Sequence, residues 1–180
     1  MSLSRGIGWV ALAFFLLSVP AANWMIQHIG TTCVPNGPCL IPVFPGIMAP
    51  SAVLTVGVAL VLRDVVQRQL GLGWSLGAVL AGALLSALVA PASLVIASGT
   101  AFLLSELADL TIYTPLQRRR LMLAVVASAC AGLVVDSIVF LGLAFRSLEF
   151  LEGQVIGKSW AVLVSIPFIH LLRRVAPSPA

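Results

Sequence analysis

The chain has 180 residues, of which 60% are hydrophobic and only 9% are charged, and its formal net charge is +4. About a quarter of the residues in a water-soluble globule are charged, so this composition excludes an ordinary soluble enzyme. Because a helix needs roughly 20 apolar residues to cross a bilayer, the length accommodates six such helices and no additional soluble domain. The sequence therefore predicts an all-α integral membrane protein, with residues 1–180 forming a single domain of six transmembrane helices.

Six apolar stretches follow one another along the chain. They cover approximately residues 6–25, 47–62, 74–90, 92–116, 121–145 and 155–172. Little more than Pro91 separates the third from the fourth, which predicts a tight turn because proline disfavours helix in the residue before it. The first stretch ends in small residues that would suit a signal-peptide cleavage site. Cleavage would leave five helices, so we expect the first helix to be retained.

The basic residues are distributed unequally between the segments that join these stretches. In a six-helix arrangement only Arg146 and Lys158 lie on one side, and the other eight lie on the opposite side. By the positive-inside rule, both termini are then cytoplasmic. The basic residues are thus interpreted as topology signals and not as a nucleic-acid site. The eight are Arg5, Arg63, Arg68, Arg118, Arg119, Arg120, Arg173 and Arg174.

The longest loop, residues 27–46, contains Cys33 and Cys39 on either side of a Pro/Gly-rich segment. A disulfide is plausible there in an oxidising compartment, and two free thiols are the alternative. Zinc would want four ligands, and His28 is the sole histidine near the two cysteines. The sequence predicts no metal site.

Several ionisable or strongly polar residues fall inside or at the ends of the apolar stretches. A charged side chain near the centre of a bilayer costs about 2.5–3.5 kcal/mol on insertion scales, so such groups normally face the interior of a bundle or a water-filled cavity. These residues are therefore candidates for a binding site. They are Asn23, Asp64, Glu106, Asp109, Asp136 and Lys158.

Small residues recur every four positions in the stretches that carry the carboxylates, and they place Asp109 and Asp136 on small-residue helix faces. Because small faces let helices approach closely, we expect both faces to point inward. A third stripe, in the stretch 74–90, carries no charge and predicts a packing surface, either within the bundle or between two copies in a homodimer. The three stripes are Ala97, Ala101, Ser105 and Asp109; Ala124, Ser128, Gly132 and Asp136; and Ala78, Gly82, Ser86 and Ala90.

Structural roles are open for several of these groups. Asp64 follows Arg63 directly and could form an interfacial salt bridge at a helix end. Asp109 could pair with Arg118, and Lys158 could anchor a helix at the interface. Asp136 lies deepest in its stretch and is the hardest to explain by structure alone.

The same residues form a pattern that resembles the queuosine-precursor transporter family, also called the putative vitamin uptake transporter family. The pattern covers most of the chain. Its parts, in chain order, are Ala22-Asn23-Trp24, Asp64-Val65-Val66-Gln67-Arg68-Gln69-Leu70-Gly71, Ser105-Glu106-Leu107-Ala108-Asp109, Val135-Asp136-Ser137 with Phe140, and Lys158 at the start of a last helix that ends in Arg173-Arg174.

The resemblance implies a six-helix transporter of the cell inner membrane that imports 7-deazapurine precursors of the tRNA base queuosine. It also implies a fold like that of the substrate-binding subunits of energy-coupling-factor vitamin transporters, without an ATPase partner or a cofactor. Two positions depart from the family: similar members more often have Gln where Glu106 stands, and Asn or Gln where Leu133 stands. Both bear on which base is bound.

A guanine-like base presents adjacent N–H donors, which one carboxylate can accept together in charge-assisted hydrogen bonds. We expect Asp136 or Glu106 to accept hydrogen bonds from this donor edge of the base, and Asn23 to hydrogen-bond with its acceptor edge. Lys158 would neutralise the carboxylates or bind the carbonyl. Trp24 or Phe140 would stack on the ring. The predicted substrate-binding residues are Asp136, Glu106, Asp109, Asn23, Lys158, Asp64, Trp24 and Phe140.

Three other functions are weighed against this one. A vitamin-binding subunit that needs a separate ATPase module would carry an Ala-x-x-x-Ala docking patch in its first helix, but Phe15 and Leu17 follow Ala11 and Ala13 four residues on. An intramembrane enzyme would need a nucleophile and base or a metal cluster, which the sequence does not offer. In a purely structural protein the charged side chains would form ion pairs with one another and bind no ligand. Whether transport follows the substrate gradient alone or is coupled to protons stays open.

Overall fold

The computed structural model describes residues 3–35, 37–90 and 94–175, with side chains from residue 5 to residue 167 within those ranges. Each of the six predicted stretches corresponds to one helix, and the turn predicted at Pro91 lies outside the described residues. The helices are α1 (Leu3–His28), α2 (Val53–Leu70), α3 (Leu72–Val89), α4 (Val95–Leu116), α5 (Leu121–Ala144) and α6 (Leu151–Val175).

Four of the described helices are long and apolar enough to cross a membrane: α1 from Arg5 onward, α3, α4 and α5. Large apolar side chains on their outer surfaces are exposed. On α3, for example, Leu80, Leu84 and Leu88 are 60%, 67% and 81% exposed and lie one above another at helical spacing. Such a surface suits lipid better than water. The chain is thus a multi-pass membrane protein.

The long loop between α1 and α2 forms a small antiparallel sheet, which corrects the all-α prediction. Its strands, in spatial order, are β1 (Thr32–Cys33), β2 (Cys39–Phe44) and β3 (Ile47–Pro50). The predicted start of the second span is therefore a strand. Prolines at positions 42, 45 and 50 disfavour a helix through this segment. Cys33 and Cys39 lie opposite each other on β1 and β2 and are joined by a disulfide.

This sheet is fixed against α6 at one end of the bundle. A Cβ atom added to Gly153 would lie 2.1 Å from the carbonyl oxygen of Met48, so only glycine allows the helix to come this close to β3. One turn further along α6, Gly157 contacts Val53 at the start of α2. The indole N–H of Trp160 donates a hydrogen bond to the carbonyl oxygen of Val43, at 3.1 Å.

The helix α2 extends eight residues beyond its predicted end, and this changes the place of Arg63. The helix ends at Gly71, whose φ of +98° is a conformation that glycine adopts readily, and its N–H bonds to the carbonyl of Gln67. Arg63 is therefore inside the helix and fully buried. The interpretation of Arg63 as a cation at the cytoplasmic end of a span is wrong.

The prediction that the small-residue faces of α4 and α5 point inward is confirmed. Asp109 and Asp136 are both buried, and Gly132 on α5 packs against Leu60 and Asp109. The α3 stripe also lies inside the chain, where Gly82 contacts the ring of Phe102. Since that face is occupied within one copy, it no longer supports a homodimer.

Candidate functional site

A cavity lies at the end of the bundle that carries the sheet. It is surrounded by the second halves of α1, α3 and α5 and by the first halves of α2, α4 and α6, as expected for neighbouring helices that alternate in direction. Its walls combine apolar side chains with serines, two phenylalanine rings, two amides, two carboxylates and a lysine. The polar and aromatic lining residues are Ser18, Asn23, Ser86, Ser98, Phe102, Ser105, Glu106, Asp136, Phe140, Gln154 and Lys158.

A buried lysine–carboxylate pair forms one wall of the cavity. Lys158 on α6 is 1% exposed, and its Nζ donates to Asp136 Oδ2 at 2.6 Å and to the hydroxyl of Ser137 at 2.8 Å. Its third donor goes to Gln154 Oε1, one turn earlier on α6. All three ammonium donors are therefore used. The lysine neutralises Asp136 and orients it but has no free donor for a ligand.

A second charged cluster lies deeper in the bundle, around the guanidinium of Arg63. Its Nε donates to Glu106 Oε2 at 3.0 Å, and its Nη2 donates to Asp109 Oδ1. Its Nη1 lies 3.0 Å from Asp64 Oδ1 and donates to the amide oxygen of Gln67 at 3.2 Å. We call Arg63, Asp64, Glu106 and Asp109 the Arg63 cluster.

The side chains of the Arg63 cluster are almost fully buried and are held from several sides. Arg63 and its three carboxylate partners are each at most 1% exposed. The Tyr113 ring on α4 lies 5.5 Å from the guanidinium carbon, close enough for a cation–π interaction. Gln67 is fixed in turn by the hydroxyl of Thr114, which accepts from its amide nitrogen at 2.9 Å. The cluster thus ties the second half of α2 to α4.

Glu106 belongs to both arrangements. It lines the cavity, while its Oε2 accepts from Arg63. Among the described residues its other oxygen, Oε1, makes no hydrogen bond, and neither does Asp136 Oδ1 on the opposite wall. Two carboxylates, each held by a cation through one oxygen, therefore keep the second oxygen for a ligand.

The structure brings five of the eight predicted binding residues together. These five, all lining the cavity, are Asn23, Glu106, Asp136, Phe140 and Lys158. Asn23 uses its amide nitrogen to bond the carbonyl of Val19, which leaves its oxygen as an acceptor.

The other three do not line the cavity. Asp64 and Asp109 pair with Arg63, so the suggested pairing of Asp109 with Arg118 is wrong, and Asp64 sits in a buried network instead of a helix-end salt bridge. Trp24 is 54% exposed and stacks on His28, so it does not provide the stacking surface.

Sequence reasoning missed Arg63, Gln154 and Phe102. Arg63 was hidden by its position at the apparent end of an apolar stretch, although the adjoining Asp64 was a signal of buried pairing. Gln154 lies four residues before Lys158, which is the spacing that puts two side chains on one helix face. Phe102 gave no signal distinct from other apolar residues. Leu133, where similar members have an amide, is buried but does not line the cavity.

No group of three or more His, Cys, Asp or Glu side chains within the described residues is arranged to hold a metal ion. The three carboxylates of the Arg63 cluster converge on a guanidinium instead. The cavity offers hydrogen-bond acceptors and aromatic rings, which suit an organic ligand.

Apolar helices that enclose buried charges and a polar-lined cavity define this chain as a helical membrane protein. The comparison of sequences makes the class specific. The chain belongs to the putative vitamin uptake transporter family, whose model matches residues 47–175, from β3 to the end of α6. It is thus a member of a transporter family. No curated protein and no solved structure matches the chain.

Proposed function

We propose that this protein imports a 7-deazapurine precursor of queuosine, such as 7-cyano-7-deazaguanine, its aminomethyl analogue or queuine. The observation that carries the proposal is the pair of carboxylates, Glu106 and Asp136, which face one cavity from α4 and α5 with one oxygen each left unbonded. Family membership supplies the transport activity, and the chemistry of the cavity supports the class of substrate.

Carboxylates suit the donor edge of a deazaguanine. Its ring N–H and exocyclic amine point the same way, so one carboxylate can accept both. Glu106 and Asp136 are each backed by a cation, so their charge is partly balanced before a ligand arrives. An approaching neutral base then gains charge-assisted hydrogen bonds without bringing its own counter-ion. Replacing a carboxylate by an amide would keep the shape and turn one acceptor into a donor.

The remaining walls suit the other features of a flat heterocycle. Phe102 and Phe140 present rings to the cavity, and base–aromatic stacking is worth about 1–3 kcal/mol per base. Gln154 uses its oxygen on Lys158, so its amide nitrogen is available to donate to a carbonyl. The oxygen of Asn23 can accept from a further N–H. A base fixed on both its donor and its acceptor edges would be distinguished from an apolar molecule of the same size.

We propose further that all six helices cross the cell inner membrane, with both termini in the cytoplasm and a fold like that of energy-coupling-factor substrate-binding subunits. The helix α2 has 18 residues, about 27 Å at 1.5 Å per residue, and it turns its charged side chains inward. The end of the bundle away from the sheet carries Arg5, Arg68 and residues 118–120, all arginine, which favours that end as cytoplasmic. The cavity would then face the outside.

The test is ligand binding by the purified protein in detergent. A ligand that binds only the folded state raises its stability by about 2.7 kcal/mol at a hundredfold excess over its dissociation constant. We expect such a rise in melting temperature with 7-cyano-7-deazaguanine and not with biotin. Asp136→Asn should abolish it, and Glu149→Gln, at an exposed acid outside the cavity, should retain it. An equal rise with biotin, or full binding by Asp136→Asn, would refute the proposal.

A further inference from the structure

The ring of Phe102, one of the two aromatic walls of the cavity, lies against a glycine of the neighbouring helix α3. A Cβ atom at Gly82 would be 2.7 Å from Cζ and 2.9 Å from Cε1 of this ring. The other two glycines of α3, Gly73 and Gly77, have no atom within 4 Å of the corresponding position. Glycine is less favourable than alanine inside a helix, so what distinguishes position 82 is the close approach of the ring that it permits.

Phe102 has packed neighbours on one side and the cavity on the other. Phe15 of α1 is fully buried, and the centroid of its ring lies 5.9 Å from that of Phe102. Ala59 and Ala78 belong to the same buried cluster, against which Phe102 packs. Phe102 itself is half-buried and lines the cavity. Because close-packed interiors leave little room for a ring to move, the free space next to this ring is the cavity.

A hydrogen bond holds α3 and α4 together one helical turn away from this contact. The hydroxyl oxygens of Ser86 and Ser98 lie 2.6 Å apart. Ser86 follows Gly82 by four residues on α3. Ser98 precedes Phe102 by four residues on α4. Moving the two helices apart to admit a side chain at position 82 would break this hydrogen bond, and polar groups left unpaired inside a protein are costly.

A methyl group at position 82 would move the ring, because the two helices are held together and the buried side of the ring is filled. Bringing the 2.7 Å approach to an ordinary contact of 3.4 Å requires a shift of about 0.7 Å. An extra methyl group in a close-packed region commonly forces such side-chain shifts. Since the open space lies on the cavity side, the cavity would become narrower at this wall.

We propose that Gly82 sets the width of the cavity by keeping the ring of Phe102 withdrawn, and that it thereby limits the size of the substrate. Gly82 itself does not line the cavity and acts through Phe102, so it is a positioning residue. The width of the cavity follows from the contacts of the ring alone. The choice of 7-deazapurines as probes rests on the proposed function.

A base stacked on Phe102 is sensitive to the position of the ring. Stacking brings two flat faces into direct contact, and in the proposed site the same base is hydrogen-bonded to side chains of other helices. A ring that has moved into the cavity therefore pushes the base away from those partners, which lengthens and weakens the hydrogen bonds. A base with a larger substituent has less free space around it and should lose more affinity than a smaller one.

The experiment compares wild type with Gly82→Ala by the dissociation constants of 7-cyano-7-deazaguanine and of the larger base queuine, at a temperature at which both proteins are folded. We expect Gly82→Ala to weaken binding of 7-cyano-7-deazaguanine by at least about tenfold and binding of queuine by more. Phe102→Leu, which removes the ring, should cancel this effect, so the double variant should bind like Phe102→Leu alone. If the wild type already excludes queuine, Phe102→Leu should admit it. Gly77→Ala makes the same change on α3 in open space and should bind like the wild type.

A ligand-free crystal structure of Gly82→Ala keeps the two proposals apart. It should show the ring of Phe102 shifted toward the cavity by about 0.7 Å, with the hydrogen bond between Ser86 and Ser98 intact. If no deazapurine binds the wild type, the proposed substrate fails, while the position of the ring still decides whether Gly82 sets the width of the cavity. Should Gly82→Ala fail to fold, Phe102→Tyr adds an oxygen at Cζ, the ring atom nearest position 82, and should displace the ring in the same direction.

Four results would overturn the proposal. The first is an unmoved ring beside a displaced α3 in the crystal structure. The second is an equal loss of affinity from Gly82→Ala with and without Phe102→Leu. The third is an equal loss of affinity for both bases, and the fourth is continued exclusion of queuine by Phe102→Leu.

Discussion

Replacing Arg63 by methionine would remove the cation that contacts all three carboxylates of the Arg63 cluster. Methionine keeps a long unbranched side chain, so the main loss is charge and hydrogen bonding. Arg63 is fully buried and has ion pairs with Asp64, Glu106 and Asp109. Breaking a buried pair by removing one partner costs about 3–5 kcal/mol, because the other charge is left uncompensated.

Three carboxylates share this cation, so we expect the loss at neutral pH to lie at the upper end of that range. For a chain of this size each kcal/mol lowers the melting temperature by roughly 2–4 °C, which gives a fall of about 10–20 °C. The loss should be smaller at pH 5, where the abandoned carboxylates can protonate. Adding Asp109→Asn to Arg63→Met should recover part of the stability, since it removes one of the repelling charges.

The assay is thermal unfolding of the purified protein in detergent, followed by tryptophan fluorescence. Arg118→Met is the control, because it makes the same chemical change at an exposed position after α4 and should alter stability by no more than about 0.5 kcal/mol. A melting temperature for Arg63→Met within about 3 °C of the wild type would show that Arg63 does not stabilise the bundle. The buried-network argument would then be wrong.

Two further changes test how the sheet is held on the bundle. Gly153→Ala forces a Cβ atom against the carbonyl of Met48 and should lower the free energy of unfolding by about 1–3 kcal/mol. Gly77→Ala on α3 is the control: its Cβ atom meets no atom within 4 Å, so the change should be neutral or stabilising. Equal melting temperatures for the two variants would contradict the close approach of α6 to β3. Replacing both Cys33 and Cys39 by serine removes the disulfide that closes a short loop, so we expect the free energy of unfolding to fall by about 2 kcal/mol. Amide hydrogen exchange should become faster in β1 and β2 than in α5. Unchanged exchange would mean that strand pairing alone holds the sheet.

Much of the site could be predicted because a bundle of apolar helices offers few positions at which an ionisable residue is stable. The cost of exposing Asp109 or Asp136 to lipid required them to face inward, and the spacing of small residues chose the inner face. The structure agrees at each of these positions. Helical spacing does not predict which residue pairs with each charged side chain, because the two partners belong to different helices.

Arg63 shows why. Within its own stretch it is one arginine near the end of an apolar run, indistinguishable from a cation that marks the cytoplasmic surface. Only the extension of α2 to Leu70 and its packing beside α4 put its guanidinium among three carboxylates. Packing between helices likewise gave Phe102 and Gln154 a place in the cavity, whereas Trp24 is exposed and stacks on His28 of its own helix.

The sequence by itself determined the class of protein, the six helices and the inward faces of α4 and α5, because these depend on composition and on the 3.6-residue period of a helix. The tertiary structure decided that the loop forms a sheet docked on α6 and that Lys158 donates a hydrogen bond to Asp136. It also decided that Glu106 both lines the cavity and belongs to a buried cluster with surplus negative charge. Those outcomes depend on distances between residues far apart in the chain, and local periodicity carries no information about them.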